Sequence, residues 1–248
     1  MSTYQRFAYV YDQMGSDEFS IKMYRYTQKI LNRLRYHPKS VADLACGTGT
    51  AALLWAKNNI EVFGLDNSAH MLDMARKKAK KDRLKIDFSQ QSLTSFTLPQ
   101  QVDLATCYFD SLNYLLTLEE VTECFKSAHR ALYPNGYFIF DVNTPEAMKV
   151  LWGSQVYADE TDDMAWIWKN CYYPKIKQAE VRATFFVRKG KMWERFDEIH
   201  AERGYTATEM KKALAAANFK IVNMYDCLRF VKPDRQTLRL AVVARKIK

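Results

Sequence analysis

The stretch Val41-Ala-Asp-Leu-Ala-Cys-Gly-Thr-Gly-Thr50, with Gly64-Leu-Asp66 following a second short apolar run, decides how the rest of the chain is read. Val41, Leu44 and Ala45 read as the end of a buried strand. Gly47 and Gly49 allow backbone conformations that a Cβ would obstruct, and Thr50 onward reads as a helix. A strand, a glycine turn and a helix N-terminus make a site for a small polar ligand. Asp66 ends the next strand, where doubly wound folds reach a ribose diol.

Working outward, the spacing predicts a helix over about 18–35 ended by His37-Pro38, strands near 40–45 and 61–65, and helices near 50–57 and 68–80. Strands follow at 84–89, 102–107 and 137–142. Between the last two, Thr117-Leu-Glu-Glu120 is a capping box opening a helix to about Ala131, and Pro134-Asn-Gly136 reads as a turn. This alternation implies an α/β, doubly wound, mostly parallel sheet with helices on both faces. The rhythm then changes. Met164–Tyr173, Ala179–Arg188 and Met192–His200 alternate in β fashion with no helix between, which predicts an antiparallel insertion over 156–200 between core segments 1–155 and 201–248. Thr206-Ala-Thr-Glu209 opens a last helix, and a closing hairpin spans about 220–244.

The 248 residues suffice for one sizeable core. The opening Met1-Ser-Thr-Tyr-Gln-Arg has no apolar leader, and no run nears the roughly 18 residues that span a bilayer, so a cytoplasmic location and no membrane partner are expected. Cys46, Cys107, Cys124, Cys171 and Cys227 are scattered without Cys-x-x-Cys spacing, and His37, His70 and His129 lack metal spacing, so neither disulfides nor a metal is expected. The formal net charge of +9 invites a nucleic-acid partner. Its densest patch, Arg76–Arg83, lies at a helix C-terminus and lacks interleaved aromatics, so that partner is not favoured.

Asp43-Leu-Ala-Cys-Gly-Thr-Gly49 resembles the first motif of class I S-adenosylmethionine-dependent methyltransferases, and Val62-Phe-Gly-Leu-Asp-Asn-Ser-Ala-His-Met-Leu72 the segment that follows it. Val102–Tyr114 is similar to that family's fourth motif in bacterial small-molecule enzymes. The resemblance implies a Rossmann-like seven-stranded sheet binding S-adenosylmethionine. Gly47, Gly49 and the backbone of Ala45 and Cys46 would bed the methionine part, and Asp43 would hold its ammonium directly or through water. Asp66, followed by Asn67, would accept from both ribose hydroxyls, with N-capping as its alternative role. Met71 would face the adenine or simply fill the core. Ser92 stands where the family often has an acid, so Ser92 and Leu93 become the expected adenine contacts.

Methyl transfer needs alignment of a nucleophile more than a strong base. The resemblance extends to amino-sugar N,N-dimethyltransferases, which makes Tyr11 the candidate catalytic residue, although Phe19 replaces a second tyrosine of that subfamily. Tyr108 and Asp110, after the fourth strand, are candidates for lining the cofactor site. Asn113, Asp141, Asn143, His200 and Arg203 are candidates for the substrate side. The expected activity is methylation of a small polar metabolite, an amine among the options, by a monomer or homodimer. The alternatives are an RNA methyltransferase, an NAD(P)-dependent oxidoreductase, since Gly47-Thr-Gly-Thr-Ala-Ala52 also fits a dinucleotide fingerprint, and a non-catalytic cofactor-binding module.

Overall fold

The computed structural model describes Tyr4 and residues 6–247; Met1–Thr3, Gln5 and Lys248, part of the terminal stretch read above, lie outside the described residues. Five helices, α1 (Glu18–Leu34), α2 (Thr50–Lys57), α3 (Ala69–Lys81), α4 (Leu118–Ala131) and α5 (Ala207–Ala216), flank a seven-stranded sheet. Its strands are β1 (Ser40–Leu44), β2 (Glu61–Asp66), β3 (Asp87–Gln90), β4 (Val102–Cys107), β5 (Leu132–Asn143), β10 (Phe219–Asp226) and β11 (Arg239–Lys246). They lie in the order β10-β11-β5-β4-β1-β2-β3, parallel except for β11, which pairs antiparallel with both neighbours. Among the described residues no helix is long and apolar enough to cross a membrane.

All five residues of β1 are buried, as a central strand covered on both faces requires. Alternate residues along the strands divide the core. Phe138, Phe140 and Val142 join α4 and α5 on one face, while Ile139, Ala241 and Val243 join α1 and α2 on the other. Because β1 pairs β2 on one side and β4 on the other, the chain reverses direction across the sheet there and leaves a crevice at the strands' carboxyl ends.

A second, antiparallel sheet of four strands follows: β6 (Val156–Thr161), β7 (Met164–Tyr173), β8 (Gln178–Lys189) and β9 (Met192–Arg203). β6 was not among the expected strands, because its six residues are all exposed and so show no alternation. Phe7 and Val10 of the N-terminal arm pack with Val181, Ala183, Phe185 and Phe196 on one face of this sheet. Among the other elements β3 starts at Asp87, three residues later than expected. β5 begins at Leu132, absorbing the expected turn as an irregularity at Asn135, whose φ is 66°.

Arg203 is the first site candidate to be corrected. Its guanidinium donates to Glu209 Oε1 at 2.6 Å and stacks over Tyr205, 4.4 Å from the ring centroid, so it clamps the second sheet to α5 instead of facing a substrate. Burial opposes the charge of Glu209. The Thr206 N–H and hydroxyl, Arg203 and Lys177 outweigh it and hold the carboxyl down to about 2. A depressed carboxyl stabilises the fold fully above the ordinary glutamate value of 4.5 and loses that contribution as pH falls towards 2. Glu209→Gln is therefore expected to destabilise by about 1–2 kcal/mol at pH 7. In urea unfolding at a series of pH values the gap should close below pH 4; an unchanged gap there would contradict the account.

Candidate active site

The turn after β1 is built on alternating backbone. Ala45, Gly47 and Gly49 have φ of 52°, 55° and 81°. A Cβ at Gly47 would meet nothing within 4 Å, since that residue faces the crevice, whereas one at Gly49 would come within 2.8 Å of the Ala75 Cβ. Gly47 thus leaves the floor open, and Gly49 lets α2 approach α3. Gly49 is not in the cleft wall, which corrects its expected role. Asp66 ties the turns after β1 and β2 together: its Oδ2 accepts the Gly47 N–H at 2.9 Å and its Oδ1 the Ser68 N–H at 2.8 Å. Burial raises its pKa, an effect those amides partly offset. Each oxygen retains a lone pair for a further donor.

The crevice encloses about 690 Å³, within the range of small-molecule sites. Tyr11, Ala45, Cys46, Gly47, Asp66, Asn67, Met71, Ser92, Leu93 and Tyr108 all line it. Met71 is 2% exposed and so is core and floor at once. Ser92 Oγ is engaged within its own loop by Thr94. The Tyr108 hydroxyl points away, donating to Thr27 Oγ1 at 2.8 Å, so only its ring is wall. Tyr4, Tyr114, Ser111, Thr48 and Thr50 also line the cleft. Tyr4 and Tyr114 lie in stretches quoted above, but nothing local marks them out, because a 3₁₀ turn (Ser111–Tyr114) and the N-terminal arm bring them together.

Several other candidates are placed elsewhere. Asp43 lies beneath the turn, 2% exposed; its Oδ1 accepts from Thr106 at 2.9 Å and its Oδ2 makes no hydrogen bond. Burial pushes its carboxyl up to about 7, with the Thr106 hydroxyl and the nearby Ala52 N–H offsetting only part. Asp141, fully buried, accepts the N–H groups of Phe109 and Asp110 at 2.7 and 3.0 Å and pairs with Arg239 at 2.5 Å. Asp110 shares that arginine at 3.3 Å and accepts from Asn143. Asn113 bridges main chain, donating to the carbonyls of Asn143 and Arg203. Asp110, Asp141 and Asn113 are thus scaffold behind the wall: each has its donors and acceptors met by the protein. His200 is 5% exposed and stands behind Tyr4 and Tyr114.

The donor set fits S-adenosylmethionine on two counts: an open glycine floor beside a carboxylate with free lone pairs, and an orphaned buried carboxylate oxygen on Asp43. Comparison with known proteins agrees. A family profile for the methyltransferase domain matches residues 41–136. A Geobacillus sp. (strain WCH70) protein assigned to the methyltransferases is 32% identical over 98% of this chain and 100% of its own. The chain belongs to the class I S-adenosylmethionine-dependent methyltransferases. The crystal structure of an S-adenosylmethionine-dependent methyltransferase from Clostridium acetobutylicum superposes on this methyltransferase with a TM-score of 0.89 at 26% identity, covering 100% of both chains. The Streptomyces venezuelae dTDP-3-amino-3,4,6-trideoxy-α-D-glucopyranose N,N-dimethyltransferase is 27% identical over 73% of this chain and 76% of its own. The methyltransferase is therefore an enzyme that uses S-adenosylmethionine, and the oxidoreductase and non-catalytic readings fall.

Phe109 and Asp110 of the methyltransferase also hold left-handed backbone, with φ of 58° and 52°, under the Asp141 carboxylate. Asp141→Ala would leave the buried Arg239 with only the longer Asp110 pair and free two buried amides, and a loss of about 3–5 kcal/mol is expected in urea unfolding. A loss under 1 kcal/mol would show that the Arg239 cluster does not hold this loop.

Proposed function

We propose that this methyltransferase acts on a small polar acceptor, foremost an amine, held at the aromatic end of the cleft among Tyr4, Tyr11, Tyr108 and Tyr114. The observation that carries the reading is the wall itself: among the described residues lining it there are two acids, Asp17 and Asp66, and no lysine or arginine. Phosphate recognition draws on cations. A cleft of this sign favours a neutral or cationic acceptor over RNA, whatever the net charge of +9 on the rest of the molecule. The Streptomyces relative, which by its name methylates an amine, supports the same class. In this reading residues 1–155 and 201–248 form the cofactor core, and 156–200 a cap that shapes acceptor choice.

S-adenosylmethionine, when bound, supplies a methyl group on a sulfonium that is already activated towards displacement. The residues of the chain bind and align. Asp66 would take the ribose hydroxyls on its free lone pairs, Gly47 and the Ala45 and Cys46 backbone would bed the amino-acid part, and Met71, Ser92 and Leu93 would flank the adenine. Asp43 would answer the ammonium from below. Tyr11 is assigned beside the reacting centre: its ring stands edge-on to Tyr4 and Phe7, at 6.1 and 5.4 Å between centroids, and burial keeps its hydroxyl protonated. These rings exclude water and hold the nucleophile in line.

A mass-spectrometric screen of metabolite extracts for a gain of one methyl group tests the acceptor. Wild type should methylate an amine and Asp66→Ala should lose most of that activity at limiting cofactor; methylation of tRNA or rRNA alone would overturn the reading. Asp43 gives a second test. Its carboxyl ionises near pH 7, so affinity for S-adenosylhomocysteine, which keeps the ammonium, should rise by up to about tenfold between pH 6 and pH 8. Calorimetry on Asp43→Asn should find that dependence gone, and an undiminished slope would remove Asp43 from the ammonium site.

A further inference from the structure

Behind the aromatic end of the cleft lies a hydrogen-bonded chain that the cofactor site does not use. Tyr4 Oη and Tyr114 Oη are 2.6 Å apart, and Tyr114 Oη is 3.0 Å from His200 Nδ1. His200 Nε2 faces Glu198 Oε2 at 3.5 Å. Three elements converge here: the N-terminal arm, the turn after β4, and β9. The Glu198 carboxylate also accepts the N–H of Tyr4 at 2.8 Å and those of Arg6 and Phe7 at 3.1 Å, so the same group fixes the arm and the imidazole.

The Glu198 carboxylate lies at the far end of this chain, 3.5 Å from His200 Nε2, which makes no hydrogen bond in the structure. Burial works against the charge on Glu198, but His200 and the Phe7 and Tyr4 amides outweigh it and hold its carboxyl below the usual range. An ionised carboxylate attracts a donor, so the negative charge beside Nε2 favours the tautomer with the hydrogen on that nitrogen. His200 Nδ1 is then left with a lone pair, which must take the Tyr114 O–H. Tyr114 oxygen in turn takes the Tyr4 O–H, and the Tyr4 oxygen keeps its lone pairs at the cleft wall. The network opens on the cleft and ends on a base.

We propose that Tyr4, Tyr114 and His200, with Glu198 behind them, form the route by which the methyl acceptor sheds its proton. As the new bond to the methyl carbon forms, the carbon–sulfur pair stays on sulfur, and the acceptor's X–H bond gives its proton to the Tyr4 oxygen. The Tyr4 hydrogen passes to Tyr114, and the Tyr114 hydrogen to His200 Nδ1. The resulting imidazolium lies against the Glu198 carboxylate. Both tyrosines are neutral in the resting enzyme, since burial lifts their hydroxyls well above the ordinary range, and each gives up a proton only as it gains one. Histidine is the side chain suited to take up that proton near neutral pH. The titratable groups around His200 are Tyr4 on the arm, Tyr114 on the turn and Glu198 on its own strand. Tyr11, Asp110 and the buried Glu202 stand beyond, close to Tyr4. The proposal rests on placing the acceptor at this end of the cleft.

Nitrogen-15 spectra of the protein saturated with S-adenosylhomocysteine test the proton assignment without turnover, and only four histidines need resolving. The resonances missing from His200→Gln identify the ring. In wild type the neutral ring should be protonated on Nε2 and bare on Nδ1, and Tyr114→Phe should shift the same Nδ1. A proton on Nδ1 in wild type would overturn the route. The kinetic arm measures initial transfer of labelled methyl from S-adenosylmethionine to metabolite extract. His200→Gln, Tyr114→Phe and Tyr4→Phe should each slow transfer at least tenfold while binding S-adenosylhomocysteine within twofold of wild type. At saturating S-adenosylmethionine, where the Asp43-linked change in cofactor affinity no longer shows, His200→Gln alone should also erase the acidic limb of the pH profile. Retention of that limb, or a rate loss matched by lost cofactor binding, would mean that His200 only supports the fold. If no extract accepts methyl from wild type, the acceptor reading fails and the spectra still decide the proton assignment.

Discussion

Ala45 in the floor of the cleft, and Phe109 and Asp110 at its rim, hold left-handed backbone although each carries a Cβ. Such conformations cost on the order of 1–3 kcal/mol each and persist only where the surroundings hold them in place. The surroundings are identifiable here. Cys46, next to Ala45, donates its N–H to the Leu65 carbonyl at 2.9 Å, and Asp66 grips the amide of Gly47. At the rim, Asp141 takes both strained amides, and Arg239 neutralises it from β11. The sheet's antiparallel last strand, far from the glycine turn in sequence, therefore shapes the cleft's opposite lip.

That arrangement explains which parts of the molecule were legible in the sequence. The strand and helix pattern was plain because periodicity, capping boxes and glycine turns are local signals, and the glycine turn and Asp66 fell at the crevice for the same reason. Asp110, Asn113 and Asp141 looked like ligands because polar residues at the carboxyl ends of β4 and β5 commonly are. Their partners, Arg239, Asn143 and the Arg203 carbonyl, come from far along the chain, and no local spacing reveals that they are already matched. Arg203 likewise found Glu209 on the next helix. Conversely, the Tyr4 and Tyr114 ring pair, 5.8 Å between centroids, exists only once the arm crosses the core.

Charge is distributed with the same economy. The exposed helix end Arg76–Arg83 contributes cations that the net value of +9 reports, yet Arg76 is turned to the Phe88 carbonyl and Lys78 reaches Asp12 at 2.7 Å. Lys78 also donates to Thr48 and Thr50, so one ammonium fastens the arm to the glycine turn. The cations nearest the cleft are thus engaged in holding its walls, and the interior stays acidic. Bulk charge and site charge point in opposite directions, and for a cationic cofactor the site charge is the one that counts.

The outer strand of the second sheet, Val156–Thr161, has a further consequence. It offers solvent a row of amides and carbonyls that pair with no strand, the geometry that invites another chain to add itself sideways. Asp159 and Glu160 within it put two negative charges on that border. An incoming strand would have to bring matching cations or bury those charges unpaired. The acid pair acts as a fence, keeping the sheet four strands wide while its inner face remains committed to the arm.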